Sequence, residues 1–285
     1  MKNFRLGVIG HGFVGKATDL GFNDDVDRFI VDPKYGTTIK DLEGFDPDCI
    51  FLCVPTPMKS DGSQDSKILE NVINDLSESC LSKKIVILKS TILPEKIKKI
   101  TSFLQDFVYN PEFLTEKNAA NDFINSDFIL LGGDKKVCLK VSEIYKKYTK
   151  CKTDNFLFTD IPSASLIKYT INSYLASKVI FFNEIKKLFD SSSTQESWEN
   201  FISYISSDER IGTSHMMVPG YDGKLGFGGA CFTKDTAAIY KYSLEIGNEL
   251  TLLKKVIDIN NSIRSSYPDL DDREIDQNVN YKFNE

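Results

Sequence analysis

The sequence predicts an α/β fold in two parts, an N-terminal parallel sheet wound with crossover helices over residues 1–155 and an all-helical domain over 156–268. Three observations carry this. Short apolar runs in the first half (RLGVIG, RFIVD, DCIFLCVP, KIVILKS and DFILLGG) are rich in β-branched or aromatic residues, are bounded by turn residues, and alternate with stretches long enough for crossover helices. Runs such as DCIFLCV lack strict alternation, which marks strands buried on both faces, as in parallel sheets. From about Cys151 the period changes: Ile161, Leu166, Ile167, Ile171, Leu175, Val179, Phe182 and Ile185 follow helical spacing, and one long helix is expected over 162–189.

The 285 residues are 41% apolar, 27% charged and 12% aromatic, a composition that supports a core and excludes disordered, collagen-like and disulfide-scaffold classes. With 35 Lys and Arg against 41 Asp and Glu, the net charge of -6 provides no overall basic field to attract nucleic acid or an anionic membrane. A phosphate-bearing ligand must be held locally. The opening MKNFRLGVIG is too short an apolar run for a signal peptide or a span, so a cytoplasmic location is expected. Six scattered cysteines (Cys49, Cys53, Cys80, Cys138, Cys151 and Cys231) read as reduced thiols. His11 and His215 are the only histidines and there is no Cys-x-x-Cys pair, so no metal site is expected. SSSTQES reads as a surface loop, and the acidic end over 269–285, DLDDREIDQNVNYKFNE, as a frayed tail.

Gly10-His11-Gly12-Phe13-Val14-Gly15 follows one expected strand, and Asp32 closes the next. This is a dinucleotide fingerprint in its required context and makes the sheet Rossmann-type: the first glycine permits the tight turn, the second lets a pyrophosphate approach the backbone, and the third lets helix and sheet pack closely. Asp32 is suited to accept the ribose hydroxyls and repel a 2′-phosphate, which favours NAD over NADP. His11 reads as a filler of the variable position. Val54-Pro55-Thr56-Pro57 with Asp61-Gly62-Ser63, and Ser90-Thr91, fall at strand ends, the edge where such folds bind ligand, although each alone reads as turn chemistry. Asn110-Pro111-Glu112-Phe113-Leu114-Thr115-Glu116 follows a further strand-like run, DFVY, and the Pro fixes an extended entry that aims Glu112 out of the sheet edge. Lys168 and Asn172 share one face of the long helix, where such a pair alone reads as solvated surface. In Leu225-Gly226-Phe227-Gly228-Gly229-Ala230-Cys231, glycines free the backbone just before a cysteine that opens a helix. Free N–H groups and the helix dipole there stabilise a thiolate, so Cys231 reads as a nucleophile rather than a buried structural thiol.

Taken in order, GHGFVG, CVPTPMKSDGSQD, KSTILP, NPEFLTE, SLIKYTINSYLASKVIFFNE, DERIG and GFGGACFTKD resemble the UDP-glucose/GDP-mannose dehydrogenase family, from about Leu6 to the helix near Ile263. The resemblance implies an NAD-dependent oxidation of the C6 alcohol of a nucleotide-linked hexose to the uronate, with UDP-glucose 6-dehydrogenase the nearest pattern. It implies Cys231 as nucleophile, Lys168, Asn172 and Asp235 around the reacting carbon, and Glu112 and Thr91 as positioners of water or substrate. The cofactor residues it implies are Gly10, Gly12, Phe13, Val14, Gly15, Asp32, Pro55, Thr56 and Thr91. Those for substrate are Glu112, Phe113, Leu114, Glu116, Lys168, Asn172, Phe227 and Gly228, with Arg210 reaching the substrate of the partner subunit in a homodimer built on the long helix and the helix after Cys231. Two departures stand out: only PKYGTTIKDLEGFDPD separates Asp32 from Cys49, and the family's C-terminal nucleotide-covering domain has no counterpart before Glu285. HMMVPGYDGK is also longer than in common members. A separate chain supplying the C-terminal domain is one expectation. The rival to an enzyme is a non-catalytic NAD- or nucleotide-sugar-binding remnant that pairs with a full-length homologue, and a third reading is a simple two-electron hydroxyacid dehydrogenase.

Overall fold

The computed structural model describes residues 3–115 and 118–283. The chain divides into two compact units, one comprising residues up to Thr56 with Gln64–Lys168, the other Pro57–Ser63 with the residues from Tyr169 onward.

The first unit holds a seven-stranded sheet: β1 (Arg5–Ile9), β2 (Asp27–Val31), β3 (Cys49–Leu52), β4 (Ile85–Leu88), β5 (Asp106–Tyr109), β6 (Ile129–Gly133) and β7 (Phe156–Thr159), ordered β2-β1-β3-β4-β5-β6-β7. The first five strands are parallel in register, with Gly7 opposite both Phe29 and Ile50. β6 runs antiparallel to β5, a departure from the all-parallel expectation, and β7 is parallel to β6. The order reverses at β1, which pairs with β2 on one side and β3 on the other; the carboxyl ends of strands at such a switch point form a ligand crevice. β7 was not anticipated, and the expected domain boundary at 155/156 cuts in front of it, whereas the first unit extends to Lys168.

Helices α1 (Phe13–Gly21), α2 (Ile39–Phe45), α3 (Lys67–Glu78), α4 (Pro94–Thr101), α5 (Ala119–Ile124) and α6 (Lys135–Tyr148) cover the sheet. The sheet's two faces carry separate cores. Ile9, Ile50, Leu52, Val86 and Leu88 pack with Leu69, Ile73 and Leu76 of α3; Leu6, Val8, Phe51, Ile87 and Val108 pack with Val137, Val141 and Tyr145 of α6. Near-complete burial of both faces is why these strands read as unbroken apolar runs.

The long helix α7 (Ile161–Ser191) matches its expected span to within two residues at each end. It begins in the first unit and continues in the second, which among the described residues is helical: α8 (Trp198–Ser206), α9 (Ala230–Glu245), α10 (Thr251–Arg264) and α11 (Asp272–Asp276). Ala176 and Ile180 of α7 pack with Phe227 and with Val256 of α10. Within the described residues the final segment, 269–283, is not frayed. Asp271 and Glu274 form a capping box at α11, and Glu274, Val279 and Tyr281 are buried. Met58 N–H donates to the Gln277 carbonyl, and Phe283 lies over Gly62. Among the described residues no helix is long and apolar enough to cross a membrane.

Candidate functional site

The dinucleotide fingerprint forms the β1–α1 turn. A Cβ on Gly15 would stand 1.9 Å from the Gly10 carbonyl oxygen, so close packing of helix on turn requires glycine there. Gly12 differs: no atom lies within 4 Å of a Cβ placed on it. The fold leaves that space open, as approach of a pyrophosphate to the backbone requires. Gly12 is also the N-cap of α1, with no side-chain cap and no acidic residue in the first turn, so the helix N-terminus suits an anion. Phe13 and Val14 begin that helix. Asp32 directly follows β2 beside the turn: its Oδ2 accepts the His11 N–H at 2.7 Å and its Oδ1 the Lys34 N–H at 2.9 Å. His11 is not merely a filler, since its ring nitrogens lie 2.9 Å from the Tyr35 hydroxyl and 3.3 Å from Asp19 Oδ2. These residues fit a dinucleotide bearing free ribose hydroxyls.

The loops after β3 and β4 are tied together. Thr56 Oγ1 and Gln64 Nε2 both donate to the Thr91 carbonyl, at 2.7 and 2.9 Å, and Ser90 Oγ donates to the Val54 carbonyl at 2.6 Å. The Thr56 hydroxyl thus joins the loops, and Pro55 remains exposed between them.

Beyond β5, Glu112 is 5% exposed and Lys168 3%, yet both carry charge-forming groups. Glu112 Oε1 lies 3.4 Å from Lys168 Nζ, and Glu112 Oε2 accepts the Leu114 N–H at 2.6 Å. The Phe113 ring, packed on Phe128, lies 5.2 Å from the Lys168 ammonium. Sequence reasoning missed Lys89, whose buried ammonium donates to Asn110 Oδ1 at 3.2 Å, while the Tyr145 hydroxyl donates to the same oxygen. Burial pushes Lys89 down to about 8, against the opposing pull of Cys53 and Glu112, with Lys168 adding to the depression. Burial likewise pushes Cys53 up to about 12, leaving it an inert core thiol. Glu116 lies outside the described residues.

In the second unit, Asn172 Nδ2 donates to Asp235 Oδ2 at 2.7 Å, and Lys234 Nζ lies 2.5 Å from Asp235 Oδ1. Asn172 and Asp235 are both buried, so the expected surface reading of Asn172 taken alone does not hold. Cys231 is the second residue of α9, half-buried, behind a glycine turn held from several sides. The Gly226 N–H donates to Asn183 Oδ1, the Phe227 N–H to Asn260 Oδ1 and the Gly229 N–H to Glu274 Oε1. Gly229 has φ of 76°, a conformation that favours glycine, and a Cβ on Gly228 would stand 2.6 Å from the Arg264 guanidinium, which would have to shift to admit it. Arg264 in turn binds Asp222 and the Gly226 carbonyl. The C-terminal segment adds an unforeseen neighbour: Arg273 Nη2 donates to Cys231 Sγ at 3.6 Å. The capping-box spacing Asp271-x-x-Glu274 was the one sequence signal for that segment. Arg210 is 88% exposed and forked onto Asp208.

Comparison with known proteins agrees with this layout. Residues 34–149 match the NAD binding domain of the UDP-glucose/GDP-mannose dehydrogenase family and residues 162–262 its central domain. The cofactor of the first unit is therefore NAD. A Bacillus subtilis protein provisionally named a UDP-glucose 6-dehydrogenase is 37% identical over 226 residues, covering 75% of this chain and 50% of that one. The chain spans about half the length of the curated relatives it matches. A UDP-glucose dehydrogenase structure from Pyrobaculum islandicum superposes with a TM-score of 0.75 at 25% identity, over 92% of this chain and 68% of that one. A 3-hydroxyisobutyrate dehydrogenase from Mycobacterium tuberculosis shares the fold, with a TM-score of 0.70 at 16% identity over 95% and 97% of the two chains.

Proposed function

Because the chain belongs to the UDP-glucose/GDP-mannose dehydrogenase family, we propose that it oxidises the C6 alcohol of a nucleotide-linked hexose, UDP-glucose foremost, to the uronate in two successive two-electron steps. The observation that carries this reading is Cys231 at the second position of α9, behind a turn with glycines at positive φ at 226 and 229, on the helix that also holds Asp235 against Asn172. A simple alcohol oxidation needs no such thiol.

NAD, when bound, supplies the hydride acceptor for each oxidation. Gly10, Gly12 and Gly15 bring the backbone to its pyrophosphate, and Asp32 receives its ribose hydroxyls. In the first step Lys168 and Asp235 hold a water that takes the C6 hydroxyl proton. The Cys231 thiolate then adds to the aldehyde carbon, and Lys168 and Asn172 stabilise the oxyanion of the thiohemiacetal. After the second oxidation a thioester links Cys231 to C6. Glu112 or Asp235 orients the water that attacks it, the C–S bond breaks, and carboxylate and thiol are released. Thr91, Phe113, Leu114, Phe227 and Gly228 complete the substrate contacts in this reading.

We further propose a homodimer. Tyr174, Phe181 and Leu188 recur every seven residues along α7 and are 61%, 56% and 67% exposed, an apolar stripe suited to a second copy. Arg210, exposed and fixed by Asp208, is the residue to reach a substrate in that copy. A nucleotide-covering domain would then come from sequence or a chain beyond the described residues. The test is stoichiometry with purified protein, NAD and a panel of nucleotide sugars: two NADH per sugar acid supports the reading, and one NADH with an aldehyde or ketone product rejects it.

A further inference from the structure

Resting on the reading of Cys231 as nucleophile, we propose that Arg273 is the cation that holds the Cys231 sulfur as a thiolate and aims it. The segment following α10 thereby becomes part of the reactive centre instead of a tail. Arg273 Nη2 donates to Cys231 Sγ at 3.6 Å. Guanidinium stays protonated through the whole range in which a thiol titrates, so its charge favours the sulfur's anionic form at every relevant pH.

The contact is not an accident of a loose end, because the residue next to Arg273 is anchored from three directions. Glu274 is 4% exposed; its Oε1 accepts the Gly229 N–H at 2.9 Å and the Tyr281 hydroxyl at 2.6 Å, and its Oε2 accepts the Asp271 N–H at 2.9 Å. Gly229 is the N-cap of α9, so Glu274 fixes α11 to the same helix end that carries the thiol, and Arg273 is delivered with it. Beyond α11, Tyr281 is half of a second link, with Thr233 of α9 in reach of its hydroxyl at 3.5 Å. The Met58 N–H and the Gln277 carbonyl tie the same segment to the 57–63 loop.

The neighbouring charged groups are engaged elsewhere. On α9, Lys234 is spent on Asp235; on α10, Arg264 lies against Gly228 and pairs with Asp222. His215, whose ring is 5.4 Å from that of Phe232, is held toward its neutral form by burial and by Lys178. Glu274 is a nearby anion and opposes thiolate formation, but its oxygens are engaged by the Gly229, Asp271 and Tyr281 donors. Arg273 is thus a permanent cation bonded directly to the sulfur.

The test reads the thiol, not turnover. The rate of Cys231 alkylation by neutral iodoacetamide, followed by peptide mapping to separate it from Cys80 and Cys151, is measured against pH for wild type, Arg273→Gln and Arg273→Lys. Arg273→Gln should raise the midpoint by about one pH unit, an approximately tenfold slower reaction at neutral pH, and Arg273→Lys should recover most of the loss. An unchanged midpoint in Arg273→Gln, or faster alkylation at every pH, which would mean that the arginine only shields the sulfur, overturns the proposal. Thiolate ultraviolet absorbance of wild type minus Cys231→Ala needs no arginine variant: a midpoint at or above the ordinary cysteine value of about 8.5 also overturns it. Sugar-acid formation by Cys231→Ala is a separate measurement; its persistence would remove the nucleophile while leaving the ionisation result standing.

Discussion

Replacing Lys89 by Met should make the protein more stable at neutral pH, although it deletes a hydrogen bond. The ammonium is 4% exposed, and burial lowers its pKa from 10.5 to about 8. At about 1.4 kcal/mol per unit, holding the charge inside the folded chain costs about 3 kcal/mol wherever both states are protonated, that is, below pH 8. Loss of the bond to Asn110 offsets about 1 kcal/mol, because the Tyr145 hydroxyl still serves that oxygen, so Lys89→Met should gain about 2 kcal/mol at pH 7. The sign with pH follows from proton counting. Between about 8 and 10.5 the folded lysine is neutral while the unfolded one keeps its proton, so wild-type stability rises with pH and the variant's advantage shrinks. Surface lysines titrate identically in both proteins and cancel. Urea unfolding followed by far-ultraviolet circular dichroism at neutral and at alkaline pH gives the difference directly. A difference that stays constant across that range, or a variant less stable than wild type at pH 7, would refute the reasoning.

Asp32→Ala should narrow the preference for NAD over NADP by removing both a ribose acceptor and a charge that repels the 2′-phosphate; equal affinities already in wild type, measured by calorimetry, would reject the role of Asp32. Cys231→Ala should pass no more than one hydride per sugar and yield no sugar acid, and a wild-type rate of acid formation would make Cys231 structural. Charged substitutions at Phe181 and Leu188 should convert a dimer to a monomer by light scattering at micromolar concentration, and a wild-type monomer there would remove the basis for Arg210 acting in trans.

Much of the first unit was legible because its strands are buried on both faces and read as apolar runs of characteristic length, and the long helix because Ile161, Ile167, Ile171, Leu175, Val179 and Phe182 recur at helical spacing. β7 escaped because FLFT is four residues long and only partly buried at the sheet's edge. The reversed direction of β6 was not encoded in any local pattern, since an apolar strand reads alike in either orientation. The C-terminal segment was misjudged for a different reason: it is held by a buried carboxylate, a tyrosine hydroxyl and backbone groups, and hydropathy counts such residues as surface. Of the site, the glycine turns and Cys231 were visible as motifs. The pairings of Lys168 with Glu112 and of Asn172 with Asp235 were not readable from spacing, because 56 and 63 residues separate them along the chain; only the family resemblance grouped these residues.

The excursion at Pro57–Ser63 bears on how the protein is made. These residues emerge early in synthesis, yet the Ser60 carbonyl accepts from Asn280, 220 positions later, and Met58 must wait for Gln277. Contacts of such long range close late because their loop entropy is lost before they return any energy. A nascent chain released before residue 277 would hold a sheet with its strands paired and a proline-flanked loop with nothing to bind. Fragments ending near Lys168 should therefore show this loop as their first site of proteolysis, while in the finished protein the same peptide bonds resist cleavage.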